Sequence, residues 1–291
     1  MVAVCVIWGL SPLYFRALSH VPTLEVLCHR AVWSFVLFFG ILGLQGRLGL
    51  VRAALTRPGE RLAIAAASLA ISGNWYLFIL ATAVDRVTES SLGYYIFPLV
   101  SVALGRVVLG ERLSAGQWAA VALAAAAVGL IGWGLGSMPL IALGLAVAMS
   151  FYGLMKRFVA AGPMVSVSAE IAWVAPLALA WLIWRGGADH DAATWALLIG
   201  SGPLTAIPLM IFAYAAKRIT MGTQGFVMYL NPTLQAVVAV AVLSEPFTGW
   251  HVVAFPLIWL ALAIYSAEAV RAERRARRSA TSAAGPATTV M

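Results

Sequence analysis

Residues 95–111 read Tyr-Ile-Phe-Pro-Leu-Val-Ser-Val-Ala-Leu-Gly-Arg-Val-Val-Leu-Gly-Glu, and residues 229–245 read Tyr-Leu-Asn-Pro-Thr-Leu-Gln-Ala-Val-Val-Ala-Val-Ala-Val-Leu-Ser-Glu. The two stretches lie 134 positions apart and share one frame: Tyr, two residues, Pro, ten residues, then Leu-x-Glu. The same offset pairs Phe78 with Phe212, Ala81 with Ala215, Val108 with Val242, Ala120 with Ala254 and Leu123 with Leu257, without a gap. Alanine matches are cheap in an alanine-rich chain, whereas aligned Tyr, Pro and Glu are not. The pattern predicts an internal duplication: one half over residues 1–133, a second over 134–270, and a basic tail over 271–291 expected to be unstructured.

Composition says what surrounds these halves. Of 291 residues, 62% are hydrophobic and 10% charged, against about 25% charged in soluble domains. A water-soluble fold of this size could not hide so much apolar side chain, but lipid lets the outer surface be as apolar as the core. An all-α membrane protein is therefore expected. A spanning helix needs roughly 17–25 apolar residues, and ten such runs fall near 2–19, 23–44, 61–83, 88–109, 114–133, 139–158, 165–184, 193–216, 221–243 and 247–270. Start signals support several of them. Ser114-Ala-Gly-Gln117 has the form of a capping box, Thr23 and Thr248 suit N-caps, and Pro139 suits a first helical turn. The first run has no basic leader and contains Pro12 and Arg16, so it reads as a first span rather than a cleaved signal peptide. Cys5 and Cys28 lie in apolar runs without ligand spacing and read as small buried residues; no metal or cofactor is expected.

Charge placement orients the set. With the N-terminus in the cytoplasm, the cytoplasmic ends collect Arg47, Arg52, Arg57, Arg61, Arg106, Arg112, Lys156, Arg157, Lys217, Arg218 and the five arginines of 271–278, fifteen of the nineteen basic residues. That bias predicts both termini inside and an even number of spans. It also accounts for the net charge of +8 without invoking nucleic acid, whose binders group their cations on one solvated face. Five helices per half is an odd number, so the second half enters from the opposite side, with Glu111 on the cytoplasmic face and Glu245 on the outer face. Two inverted five-helix repeats around a central cavity are the architecture expected, and inverted repeats are a signature of secondary transporters.

Several motifs resemble one family. Leu-Cys-His-Arg-Ala-Val-Trp-Ser (27–34), Gly-Asn-Trp-Tyr-Leu-Phe-Ile (73–79), Ser-Leu-Gly-Tyr-Tyr-Ile-Phe-Pro-Leu (91–99), Leu-Gly-Glu-Arg (109–112) and Gly-Phe-Val-Met-Tyr-Leu-Asn-Pro-Thr (225–233) resemble RarD-type members of the EamA family, in the drug/metabolite transporter superfamily. The likeness runs over almost the whole chain except the tail. It implies a ten-helix permease of the bacterial inner membrane with a cavity between its halves. RarD proteins carry an association with chloramphenicol sensitivity, and the solute stays open.

Ionisable groups within spans cost roughly 2.5–3.5 kcal/mol each on insertion scales, so they are candidates for function. Arg30 sits seven residues into the second run, beside His29 and near Glu25. It meets either an anionic solute group or mobile carboxylate, or a structural partner: Glu25, Glu170 or backbone carbonyls. Glu170, in the seventh run, is the candidate for proton coupling, with structural pairing as the alternative. Asn74, Trp75, Tyr95, Tyr229 and Asn231 combine polar handles with aromatic faces, which suits a cavity for a small, partly apolar solute; interhelical hydrogen bonds and packing are the alternative. Trp133, Trp184 and Trp195 lie near span ends, where headgroup anchoring is expected. Pro98 and Pro232 each interrupt a helix and are candidate hinges, or static kinks. Glu111 and Glu245 sit at turns where each can cap the helix that follows.

Three classes of function remain in view. A transporter using alternating access fits the repeat. A passive channel or sensor is the alternative, and an intramembrane enzyme finds no HExxH-like spacing among His20, His29, His190 and His251. The expected partners are a small-molecule solute and the bilayer, and two complete halves make a functional monomer the expectation.

Overall fold

The computed structural model describes residues 1–110, 112–186, 189–216, 218 and 227–283. Its helices are α1 (Val2–Arg16), α2 (Thr23–Leu44), α3 (Leu48–Thr56), α4 (Pro58–Ala83), α5 (Val87–Leu109), α6 (Ala115–Gly134), α7 (Leu140–Lys156), α8 (Pro163–Arg185), α9 (Ala192–Ala216), α10 (Leu230–Val237, running on through a π turn at Val238–Val242) and α11 (Gly249–Ala283). No strand occurs among the described residues. Among the described residues, seven helices are long and apolar enough to cross a membrane, against the ten spans expected: α2, α4, α5, α6, α8, α9 and α11. The apolar helices α1, α7 and Leu230–Val242 are shorter.

Two elements depart from the sequence expectation. The nine-residue α3 fills what the sequence left as a join, because Val51 and Ala54 bury a short apolar stripe with Leu42, Ile64, Val165 and Ala169. The last helix continues to Ala283, so the basic stretch from 271 to 283 is helical backbone rather than the unstructured tail expected. Residues 284–291 lie outside the described part.

The chain divides into two compact units that cut across the sequence halves: Met1–Ser101 with Pro139–Phe247, and Val102–Met138 with the chain from Thr248 on. In the first unit α2 packs against α8, α9 and α4, α4 lies along α7, and α1 lies along α10. The core includes Phe15, Leu27, Phe38, Trp75, Phe78, Leu145, Ile171 and Leu198. Glycine sets the closest backbone approach. A Cβ on Gly202 of α9 would stand 2.5 Å from the Trp33 carbonyl carbon of α2, and only small residues let helices meet so closely. The unit's outer face carries Leu69, Leu177 and Trp184 at 76%, 71% and 82% exposure, the apolar surface that lipid tolerates and water does not.

In the second unit α6 and α11 pack antiparallel. Gly116, at the start of α6, touches the Glu268 side chain late in α11, while Gly134, at the end of α6, abuts Trp250 at the start of α11. Alanines of the stretch 119–127 on α6 supply the contact face: Ala120, Ala124 and Ala127 are buried, as are Ala254, Ile258 and Ala261 on α11. The capping box forms as expected, Ser114 accepting from the Gln117 N–H and Gln117 from the Ser114 N–H.

Two positions of the repeat frame behave differently from their sequence reading. Glu245 caps not the helix that follows but α5: its carboxylate accepts from the Val87 N–H at 2.6 Å and from the Thr88 N–H and hydroxyl at 2.7 Å. The first-turn N–H groups of a helix lack intrahelical acceptors, and the helix dipole favours an anion there. Glu111, its counterpart, lies outside the described residues. Pro98 stands inside α5, whereas Pro232 occupies the first turn of α10, just after a turn at Tyr229 that separates it from helical residues 227–228, so the interruption lies between two helical pieces rather than within one.

Replacing Gly202 with Ala should destabilise the protein by about 1–3 kcal/mol through overpacking. Gly153→Ala, where nothing lies within 4 Å, should leave the thermal midpoint in detergent unchanged or slightly raised. Equal midpoints for the two variants would show that α2 and α9 do not approach as described.

Candidate functional site

Arg30 projects from α2 into the first unit and is 8% exposed. Its Nε donates to Thr205 Oγ1 on α9 at 2.7 Å, and Thr205 in turn donates to the Ser201 carbonyl. The guanidinium carbon lies 4.5 Å from the Trp75 ring centroid and 5.2 Å from that of Phe15. Buried Nη1 has no hydrogen-bond partner among the described residues. The carboxylates that sequence offered Arg30 are engaged elsewhere: Glu25 meets His190 at 2.6 Å and Glu170 meets Lys156 at 2.6 Å. Neither structural ion pair expected for Arg30 therefore forms. Cation–π contact returns roughly 0.5–2 kcal/mol, less than the several kcal/mol that effective desolvation of a buried ion costs.

Glu170, 1% exposed on α8, is held by Lys156 Nζ, by the Ser166 hydroxyl at 2.9 Å and by Tyr152 at 3.1 Å; Ser68 of α4 donates to its backbone carbonyl at 2.6 Å. Glu170 is thus ion-paired with Lys156 in this structure. The spacing has a simple origin. Lys156 and Glu170 stand equally far either side of Pro163, where α8 begins, so the α7–α8 hairpin sets them level. Glu170 and Trp75 share the lining of a recess of about 10 Å³, with Ala31, Ser68, Ile71, Ser72, Ile171 and Val174. That is room for about one water molecule, far short of the roughly 300–1,000 Å³ of small-molecule sites and of the central cavity expected.

The other candidates fall into three places. Asn74 spends its side chain between helices, donating to the Leu145 carbonyl at 3.3 Å and accepting from Tyr94 at 3.0 Å. Tyr95 and Tyr229 stack, with centroids 6.5 Å apart and planes 20° from parallel; the Tyr95 hydroxyl meets Thr233 at 2.6 Å. Asn231 accepts from Gln235, which accepts from Ser90, so these residues join α5 to α10. His29 sits away from them, edge-on to Trp195, whose ring also meets His190. Trp195 is thereby packed, whereas Trp184 is exposed at a helix end. In the nearby loop Asp191 accepts from Thr194 at 2.9 Å, and hydrogen bonds from the Thr194 side chain and backbone hold its carboxyl below the usual range.

Sequence reasoning missed Thr205, Phe15, Lys156, Tyr152 and His190 as partners. For Lys156 a signal existed in its placement opposite Glu170 about the turn; Thr205 offered none beyond being a hydroxyl in an apolar run.

Residues 1–133 match the EamA-like transporter family. An uncharacterized transporter of Vibrio cholerae is 38% identical, over 94% of this chain and 92% of its own. Protein RarD of Escherichia coli is 37% identical over 92% and 93%, and the chloramphenicol-sensitive protein RarD of Pseudomonas aeruginosa 30% identical over 95% of each. A solved crystal structure, 19% identical, superposes with a TM-score of 0.59 over 93% of this chain and 96% of that one, and so shares the fold. The chain belongs to the EamA-like transporter family as a RarD-type member. It is a multi-pass membrane transporter of the drug/metabolite superfamily.

Lys156→Met alone leaves the Glu170 carboxylate buried without its cation. It should cost on the order of 2–3 kcal/mol, somewhat less than a dry pair because Lys156 is a quarter exposed. Combining it with Glu170→Gln should recover at least half of the loss in thermal midpoint; a purely additive double variant would show that the pair is not coupled.

Proposed function

We propose that the chain crosses the bilayer ten times as two inverted five-helix repeats and carries a small solute by alternating access. The observation that carries this reading is unequal packing of helices that the repeat makes equivalent. The 134-residue offset maps α4 onto α9 and α7 onto α1. Yet α4 packs extensively along α7, while α9 touches α1 over a short stretch. A symmetric bundle would pack both pairs alike. An inverted repeat caught with one side shut and the other loosened packs them differently, and exchanging the two arrangements opens the opposite side.

Other contacts support the two-fold relation. The stacked rings of Tyr95 and Tyr229 are repeat equivalents, as expected near a two-fold axis. The Gly116–Glu268 contact becomes the Trp250–Gly134 contact when each residue is exchanged for its equivalent. On this reading both termini lie in the cytoplasm of a bacterial inner membrane, and one chain is functional as a monomer. The recess beside Trp75 and Glu170 is the contracted solute site, widened when the helices rock, with Pro98 and Pro232 as the bending points. Coupling to protons falls to Glu170, which exchanges Lys156 for a proton in the alternate arrangement.

The test is counterflow in proteoliposomes. A carrier gives trans-stimulation of labelled solute; a passive pore or a sensor without transport gives none, and that result would remove alternating access. Glu170→Gln should abolish pH-driven flux while leaving counterflow intact and the protein folded. Normal pH-driven flux in that variant would exclude Glu170 as the coupling group.

A further inference from the structure

We infer that the transported solute is an anion, a carboxylate or a phosphate ester, and that Arg30 is the group that reads its charge. The inference rests on the transport reading above. It starts from the charge balance around α2: Arg30 is more than nine-tenths buried, and both nearby glutamates named by the sequence already have cationic or imidazole partners. Thr205 satisfies Nε and is itself fixed by Ser201, so the guanidinium is anchored by one edge. Its Nη1 is buried without a hydrogen-bond partner among the described residues.

Such an arrangement is poor as architecture. A purely structural arginine in an apolar bundle satisfies its donors on carboxylates or carbonyls, because an unpaired buried donor loses its water without replacement, at a cost that is greater on a charged group. It is well formed as a receptor. The planar fork matches the two oxygens of a carboxylate or phosphate, and its orientation is set before the ligand arrives. The Phe15 and Trp75 faces shield the cation from water and hold it in place without neutralising its charge. Trp75 also lines the narrow recess that Glu170 lines, so the aromatic ring joins the cation to the space that the proposed rocking widens for a solute. Lys156 remains compensated by Glu170, which leaves Arg30 as the unmatched cation of this cluster. A cationic solute would meet an unscreened like charge here.

The experiment uses the full chain in proteoliposomes loaded with the soluble small-molecule extract of bacterial cells, with and without a pH gradient. Released compounds are identified by mass spectrometry against protein-free vesicles and sorted by net charge. Wild type should release a set dominated by carboxylates or phosphate esters. Arg30→Gln should lower that release at least tenfold. Arg30→Lys, which keeps the charge and loses the fork, should raise KM about tenfold with an unchanged elution profile and thermal midpoint. If Arg30→Gln fails to fold, the KM of Arg30→Lys decides. Release confined to neutral or cationic compounds, undiminished anion release by Arg30→Gln, or an unchanged KM in Arg30→Lys overturns the anion assignment alone. No protein-dependent release by wild type overturns the transport reading and this inference with it.

Discussion

A polar group inside an apolar helix bundle has no water to turn to, so it must find a partner within the protein. That constraint fixes most of the contacts between helices here. The free N–H groups at the start of α5 are met by the Glu245 carboxylate. Ser91 donates to the Pro232 carbonyl, Ser68 to the Glu170 carbonyl, and Asn74 to that of Leu145. Each bond ties helices distant in sequence and sets their register. Among the described residues three buried side-chain atoms lack a hydrogen-bond partner, Arg30 Nη1, Trp33 Nε1 and Glu60 Oε2, and of these side chains Glu60 is paired with Arg57 and Trp33 is neutral, which leaves Arg30 as the charged one without an ion pair.

The same constraint shapes the two compact units. The last helix of each sequence half pairs with its equivalent, α6 with α11, through alanines and glycines on facing stripes. Small side chains suit this contact because lipid gives no hydrophobic drive for helices to associate, leaving close packing to hold them. The remaining helices form a separate unit containing every candidate residue of the solute site. Its interior is richer in buried Ser, Thr, Asn, Glu and Arg, the residue types that a moving polar solute can use.

Properties that depend on local sequence were legible from the start. Seven of the ten apolar runs, each seen as a helix of spanning length, and the Ser114 capping box follow from composition and short-range spacing. The small helix α3 escaped because nine residues between charged neighbours give too short a pattern to separate from a join. The extension of α11 to Ala283 escaped because hydropathy marks where apolar sequence stops, not where the helix stops. Pairing was the least legible layer. Lys156 had been read as one of the charges that orient the chain, although its position opposite Glu170 across the α7–α8 turn foreshadowed the ion pair. Glu245 was read as a cap for its sequence neighbour, and only the three-dimensional path brings it to Thr88, 157 residues away. Arg30 was recognised as a buried cation, but whether a carboxylate would reach it depended on where Glu25 and Glu170 turned.

The central claim is that the second half of the chain is threaded through the membrane upside down relative to the first. It is tested most directly by replacing Cys5 and Cys28 with Ala, placing single cysteines at Arg112 and Ser244, and labelling intact cells with a membrane-impermeant maleimide before and after permeabilisation. Inversion predicts that Ser244→Cys reacts from outside while Arg112→Cys reacts only once the membrane is opened. Reaction of both positions from the same side would contradict it.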